Sequence, residues 1–197
     1  IEKYYGREST VVYPPVATRF FTPDERGGHD GFDLIVSALV PYKRVDLAVR
    51  AYSQTGRPLK IAGVGTDLAV LKDIAAPNVA FLGHVPDEHI RELYRRCRFL
   101  VFPGEEDFGI VPLEAQACGK PVVAYGQGGL LETVVAGQTG LFFDQQTPEA
   151  LADAVGRAEH VAWDPAAIRR HAEEFSEARF LAGLRAEIAK VMEGPGR

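Results

Sequence analysis

Short, continuously apolar runs rich in β-branched residues alternate along most of this chain with stretches whose apolar residues recur every three or four positions. That alternation restricts the fold more than any other feature. The runs are STVVY (9–13), FDLIVSALV (32–40), PLKIAG (58–63), VAFLG (79–83), RFLVFP (98–103), KPVVAY (120–125) and GLFF (140–143). Several lack any polar alternation, as expected of strands covered on both faces. Between them KRVDLAVRAYSQTG, TDLAVLKDIA, PDEHIRELYRRC, GIVPLEAQACG and GLLETVVAGQ carry a helical apolar stripe or end on a glycine stop. Strand and helix alternating through short loops specify βαβ units. The predicted fold is therefore α/β, a Rossmann-like doubly wound parallel sheet with helices on both faces and right-handed crossovers.

After GLFF the pattern becomes wholly helical, through TPEALADAVGRAEH, DPAAIRRHAEEF and SEARFLAGLRAEIAKVMEG, which predicts a helical C-terminal tail. Helix punctuation agrees. Asp87 follows Pro86 at one start, Thr147 precedes Pro148 as an N-cap at another, and Gly119 ends a third helix. The polar, glycine-rich stretch Thr22–Gly31 reads as the loosest segment.

With 22 basic against 27 acidic residues, the chain lacks the basic field that non-specific nucleic-acid or membrane-surface binding requires. No apolar run reaches the ~18 residues of a membrane span. Two cysteines, Cys97 and Cys118, fit small buried hydrophobes in a reducing compartment, and a cytoplasmic location is expected. The chain begins without methionine, on a segment that reads as already under way, and a piece of a longer protein is the expectation.

In a doubly wound sheet ligands bind beyond the carboxyl ends of the strands, so chemistry belongs in the loops that follow them. After FDLIVSALV, Lys43 stands beside a helix start, where a mobile cation and free backbone N–H groups together suit a phosphate. After RFLVFP come Glu105, Glu106 and Asp107, then Phe108 and Gly109. Gly109 lets the backbone turn tightly, and the N–H groups of Gly109, Ile110 and Val111 then form a small anion site. Glu114 lies about one turn into the same helix, roughly 6 Å further along its axis. Two carboxylates beside an anion site repel the anion itself. They are useful if each accepts hydrogen bonds from hydroxyls, one on either side of a diphosphate, which is the chemistry of a nucleotide sugar. The plainer alternative is a solvated acidic turn that favours the helix N-terminus.

The segment PGEEDFGIVPLEAQACGKPVVAYGQGGLLETV (103–134) closely resembles the donor-site motif of retaining GT-B glycosyltransferases of glycosyltransferase family 4. The shared pattern is Glu106, seven residues, Glu114, a small-residue helix, Gly119-Lys120-Pro121-Val122-Val123, and Gly128-Gly129-Leu130-Leu131-Glu132. The resemblance extends in order through VVYPPVATRFF, LVPYKRVDLAVRAY, LKIAGVGTD and FLGHVPDEHIRELYRRC, from Val11 to Phe143.

The resemblance implies that Glu114 holds the ribose hydroxyls of the donor. It places Glu106 near the reacting carbon of the transferred sugar, and the backbone of Phe108 to Val111 against sugar and distal phosphate. Lys43 would neutralise the departing diphosphate, so Glu106 and Lys43 are the implied catalytic pair. The base would lie against Gly83, His84 and Val85. No metal and no cofactor is implied; Lys43 and the helix end would stand in for Mg²⁺. One departure matters: the family usually has an arginine five residues before the lysine, and here that position is Ala38. Lys43 would then work alone, with Arg44, or with a group outside this chain.

The same resemblance implies that residues 1–197 form a single donor-binding domain, one half of a GT-B fold. It also implies that the N-terminal acceptor domain of the full enzyme is absent from this chain. The chain alone would bind nucleotide and transfer no sugar. A hexosyltransferase for surface polysaccharide is implied, with mannose from GDP-mannose as the first choice and UDP- or ADP-sugars as alternatives. The acceptor would be a glycan or lipid-linked sugar reached through the absent domain, with peripheral membrane association of the full protein allowed and no nucleic-acid partner.

Rival readings have weaker support. Gly63-x-Gly65 in AGVGTD is an incomplete dinucleotide fingerprint, because Leu68 replaces the third glycine. Asp107-Phe108-Gly109 has no accompanying kinase motifs. Pro121 after Gly119-Lys120 excludes a phosphate-binding Walker loop. The five histidines and two cysteines show no zinc spacing. A sugar-nucleotide epimerase of the same fold, or a non-catalytic nucleotide-sugar binding module favoured by Ala38, stays open.

Overall fold

A computed structural model describes residues 2–6 and 8–193. After a short helix α1 (Glu2–Tyr5), the chain builds β1 (Asp33–Val36), α2 (Val45–Thr55), β2 (Leu59–Ala62), α3 (Leu68–Asp73), β3 (Val79–Gly83) and α4 (Asp87–Arg96). There follow β4 (Leu100–Phe102), α5 (Ile110–Ala117), β5 (Val122–Tyr125), α6 (Leu130–Thr133) and β6 (Gly140–Phe143). Three helices finish it: α7 (Pro148–Ala158), α8 (Pro165–Glu173) and α9 (Glu177–Glu193). All six strands are parallel, in the order β3-β2-β1-β4-β5-β6. The strand order reverses between β1 and β4, so the loops after these two strands flank the crevice where such sheets take ligands.

The apolar runs divide between the two faces as a period of two requires. Ile35, Ile61, Val101 and Val123 point to one side and pack with Val49 and Tyr52 of α2 and Leu151 and Val155 of α7. Leu34, Leu100, Phe102 and Val122 point to the other and pack with Ile90 and Tyr94 of α4, Ala115 of α5 and Ala172 of α8. Asp33 is fully buried at the start of β1. The Tyr52 hydroxyl donates to it at 2.7 Å, and the Arg98 guanidinium meets it through Nε and Nη2, both at 3.0 Å. A buried carboxylate needs such partners.

The expected helix stops are present. Thr147 accepts from the Ala150 N–H at the start of α7, and Gly119 turns with φ +77° after α5. Three expectations need correction. STVVY is not a strand: Pro14 and Pro15 follow it and cannot donate to a ladder. The segment instead runs beside α9, and the isolated pairing comes later, with the Val16 N–H bonding the Phe175 carbonyl at 2.8 Å. The run FDLIVSALV is a strand only over Asp33–Val36; Ser37 and Leu39 continue as a loop, bonding the carbonyls of Ala62 and Val64. The helix in GLLETVVAGQ stops at Thr133, because β-branched Val134 is already extended.

The Thr22–Gly31 segment has no regular structure, yet it is tied down. Arg96 Nε donates to Asp30 at 2.9 Å, and Lys120 Nζ donates to the Gly28 carbonyl at 2.6 Å. The C-terminal helix α9 leaves Leu181, Leu184, Ile188 and Val191 exposed along one stripe. No helix among the described residues is long and apolar enough to cross a membrane.

Candidate functional site

Three glycine contacts bring the strand-end loops together. At Gly63, φ is +146° and an added Cβ would stand 1.8 Å from the Ser37 carbonyl oxygen, so the loops after β1 and β2 touch backbone to backbone. At Gly104 a Cβ would come within 2.9 Å of the Lys43 Cα, which seats the loop after β4 on the loop after β1. At Gly129 it would lie 2.3 Å from the Asp107 carbonyl oxygen, and the Gly129 N–H donates to the Glu106 carbonyl at 2.7 Å. The Gly128-Gly129 turn is therefore a bed for the Glu106–Phe108 loop, a part that the sequence reading gave no role of its own.

This packing leaves a cavity of about 380 Å³ over the carboxyl ends of β1, β2 and β3. Ser37, Ala38, Gly63, Val64, His84, Val85, Asp87, Val111 and Glu114 line it. Its size lies within the ordinary range of ligand sites. A second cavity of similar volume opens at the opposite, amino edge of the sheet around Lys120 and Trp163, away from every loop with the predicted chemistry. Topology favours the first.

Glu114 reaches the cavity from α5, and the buried Tyr94 hydroxyl of α4 donates to its Oε2 at 3.0 Å. Burial pushes the Glu114 carboxyl up to about 7, the Tyr94 hydrogen bond opposes the shift, and the Asp87 charge adds to it. Tyr94 escaped the sequence reading. Its only signal was that a tyrosine within an apolar helical stripe needs a partner for its hydroxyl.

Gly109 caps α5 in the left-handed region at φ +97°, with no side chain over the helix end. The first-turn N–H groups of Ile110 and Val111 are therefore left without a side-chain cap, whereas Pro112 has none to offer. The Ile110 side chain is exposed. The Phe108 side chain turns away, stacking on Tyr13 at 5.5 Å between ring centroids and meeting Phe175 edge-on. The Phe108 carbonyl accepts from the Thr133 hydroxyl at 3.2 Å. Gly83 turns with φ +70°, and its carbonyl accepts from Gly63 N–H at 2.8 Å, which sets His84 and Val85 at the rim.

Lys43 and Glu106 are brought together as an ion pair across the β1/β4 reversal, with side chains 12% and 30% exposed. The Lys43 ammonium also lies 4.9 Å from the centre of the Tyr42 ring. The predicted residues thus fall into two groups. Glu114, His84, Val85 and Val111 share the cavity, while Glu106 borders an adjacent depression with Tyr42, Arg44, Glu105, Asp107 and Gln146. Ala38 lines the cavity where a guanidinium was expected. Arg44 does not stand in for it. Its guanidinium turns to Asp46 (3.2 Å) and Gln146 (3.3 Å), from a backbone held at φ +51°.

Comparison with known proteins gives this arrangement a context. Residues 25–175 match the family described as glycosyl transferases group 1. The chain is 33% identical to a D-inositol 3-phosphate glycosyltransferase of Acidothermus cellulolyticus, over 78% of this chain and 41% of that protein. It is 34% identical to a GDP-mannose-dependent alpha-(1-6)-phosphatidylinositol monomannoside mannosyltransferase of Mycolicibacterium smegmatis, over 73% of this chain and 45% of that protein. The chain thus spans less than half the length of these curated relatives. Among solved structures, it resembles Anabaena HepE in complex with UDP and glucose (TM-score 0.77, 20% identity, 94% of this chain and 57% of that one). It also resembles a sucrose-phosphate synthase of Thermosynechococcus elongatus (TM-score 0.78, 22% identity, 95% of this chain and 54% of that one). At such identities the structural likeness speaks for the fold, while the sequence match covers the loops that build the site. This chain belongs to the glycosyl transferases group 1 family.

Proposed function

We propose that residues 1–197 are the donor-binding domain of a retaining, metal-independent hexosyltransferase, with Glu114 on the donor ribose and Lys43 at the diphosphate. One observation carries the reading: a cavity at the strand-order reversal has a carboxylate at Glu114, open N–H groups at the start of α5, and the Lys43–Glu106 pair beside it. Breaking an anomeric carbon–phosphate bond leaves negative charge on the diphosphate. Fixed N–H donors and an ammonium stabilise that charge without reorganising. For the donor to enter, Lys43 exchanges its Glu106 partner for phosphate oxygens. Glu106 is thereby freed to accept hydroxyls of the sugar.

GDP-mannose is the proposed donor, supported by the mannosyltransferase and inositol phosphate glycosyltransferase names among the relatives. UDP- and ADP-sugars are the competing choices. The acceptor, a glycan or lipid-linked sugar, would be met by a further N-terminal domain, and the activity is assigned to the cytoplasm. Ala38 favours one second reading, a binding module whose phosphate clamp has been lost, because lysine alone supplies a point charge without arginine's bidentate fork.

Calorimetric titration with GDP, UDP and ADP tests the site. Saturable binding that Glu114→Ala and Lys43→Ala each weaken about ten- to a hundred-fold is expected for one lost charge-assisted contact. Binding indifferent to both substitutions would remove the assignment. Joining the chain to the N-terminal half then separates enzyme from module by turnover.

A further inference from the structure

The cavity of about 400 Å³ at the amino ends of β4 and β5 takes no part in the proposed donor site and shares no lining residue with it. Four contacts fix its walls relative to one another. Lys120 Nζ, in the turn before β5, donates to the Gly28 carbonyl at 2.6 Å. Arg98, just before β4, donates through Nη1 to Glu159 Oε1, beyond the end of α7, at 2.9 Å. The Trp163 indole N–H donates to the Ala158 carbonyl at 2.9 Å. An added Cβ on Gly119 would lie 3.2 Å from the Cβ of Pro165, so the turn after α5 touches the start of α8.

These walls are chemically mixed. Trp163, held by its indole N–H, joins Phe99, Pro121 and Pro165 as rigid apolar lining. Lys120 is half-buried, and its ammonium uses one of three N–H groups on Gly28, which leaves two for a ligand. The two arginines that pair with Glu159, Arg57 and Arg98, both reach Oε1, so Oε2 remains to accept. The Arg57 hydrogen bond lowers the Glu159 pKa and keeps that carboxylate ionised.

The opposed charges select the class of ligand. An anion drawn to Lys120 would share the cavity with the Glu159 carboxylate, and a cation drawn to Glu159 would share it with an ammonium. A wholly apolar ligand would strip water from both groups and return no hydrogen bond. A sugar ring suits every wall. Each hydroxyl donates and accepts, and the C–H bonds of one ring face carry the slight positive charge that the face of an indole attracts. We infer that this cavity is a binding site for a hexopyranose, independent of the donor site. Lys120 donates to ring hydroxyls, Glu159 Oε2 accepts from one, and Trp163 carries the ring's apolar face.

Trp163 is the single tryptophan of the chain, so its fluorescence reports on this cavity alone. The test titrates the chain with methyl α-mannoside, methyl α-glucoside, the corresponding disaccharides and inorganic phosphate, up to tens of millimolar. A saturable change in Trp163 emission is expected with at least one sugar, and a weaker one or none with phosphate. Lys120→Gln and Glu159→Gln should each weaken sugar binding about ten-fold or more, the effect of one lost charge-assisted hydrogen bond. Glu159 also pairs with two arginines, so Lys120→Gln decides the matter if Glu159→Gln lowers the melting temperature. Tighter binding of a disaccharide than of its single ring assigns the site to a glycan chain, and equal binding assigns it to one ring. A stronger response to phosphate than to any sugar would make this an anion site and overturn the inference. So would no response to any sugar, or sugar binding that Lys120→Gln leaves unchanged.

Discussion

The Tyr94 hydroxyl donates to Glu114 Oε2 at 3.0 Å, joining α4 to α5 beneath the cavity and stabilising the charged form of a carboxyl that burial would otherwise keep protonated. Tyr94 is fully buried and Glu114 is partly buried, so the bond is shielded on one side and its loss measurable.

Tyr94→Phe removes this donor and keeps the ring. The Glu114 carboxyl should then titrate above its present value of about 7, as followed by carboxyl-carbon NMR against pH. Stability should fall by about 1–2 kcal/mol, the usual worth of a buried hydrogen bond to a charged acceptor. An unchanged Glu114 titration would mean that the bond does not form in solution.

The raised carboxyl has a consequence for stability, and its sign is definite. Between about 4.5, its ordinary value, and about 7, the folded protein holds a proton that the unfolded chain has released. The stabilisation from this group is complete below that window and is lost as the pH rises through 7. Glu114→Gln removes the penalty, so at pH 8 the empty variant should be more stable by up to about 3 kcal/mol, and near pH 4 it should match wild type. Denaturant melts at the two pH values decide this. The same variant should bind nucleotide poorly, a site kept for function at the expense of stability.

The Lys43–Glu106 pair lends itself to a double-mutant cycle. Lys43→Met or Glu106→Gln alone leaves one charge unpaired in a half-buried place and should each cost about 2 kcal/mol, less than a fully buried pair would. The double variant should recover much of that, giving a coupling energy of about 1–2 kcal/mol. Additive losses would show that the pair is not populated. In a longer protein that has the acceptor half, either single change should depress turnover far more than nucleotide affinity.

Two glycines should respond in opposite directions to the same substitution. Gly129→Ala drives a methyl into the Asp107 carbonyl and the Phe108 Cα, so the Glu106 loop must move; a loss of about 3 kcal/mol or more and failure of nucleotide binding are expected. Gly156→Ala, inside α7 with open space around it, should stabilise by about 0.5–1 kcal/mol and leave binding untouched. Thermal melts and one GDP titration of each variant check both.

Strands β2, β4 and β5 were legible because their runs are almost wholly buried, and β3 and β6 because their apolar runs are short and bounded by loops. STVVY had the same composition, but two prolines follow it, and the chain's packing beside α9 cannot be read locally. The closeness of Glu106, Gly109 and Glu114 was legible because one loop and one helix turn carry all three. The pairing of Lys43 with Glu106 spans 63 positions and exists only because β1 and β4 are neighbours in the sheet. Tyr94 was hidden for the same reason. The tight backbone approaches at Gly63, Gly104 and Gly129 were hidden more deeply, since a glycine in a loop does not announce which backbone it makes room for.

The strand order also divides labour in a way that bears on how such proteins diversify. The ion pair sits on the two central strands, whose neighbours on both sides fix their position, while the rim with His84, Val85 and Asp87 hangs from β3 at the outer margin. Substitutions at that margin disturb one neighbour instead of two. The β3 margin can therefore change residue by residue while the central pair, held by strands on both sides, is inherited intact.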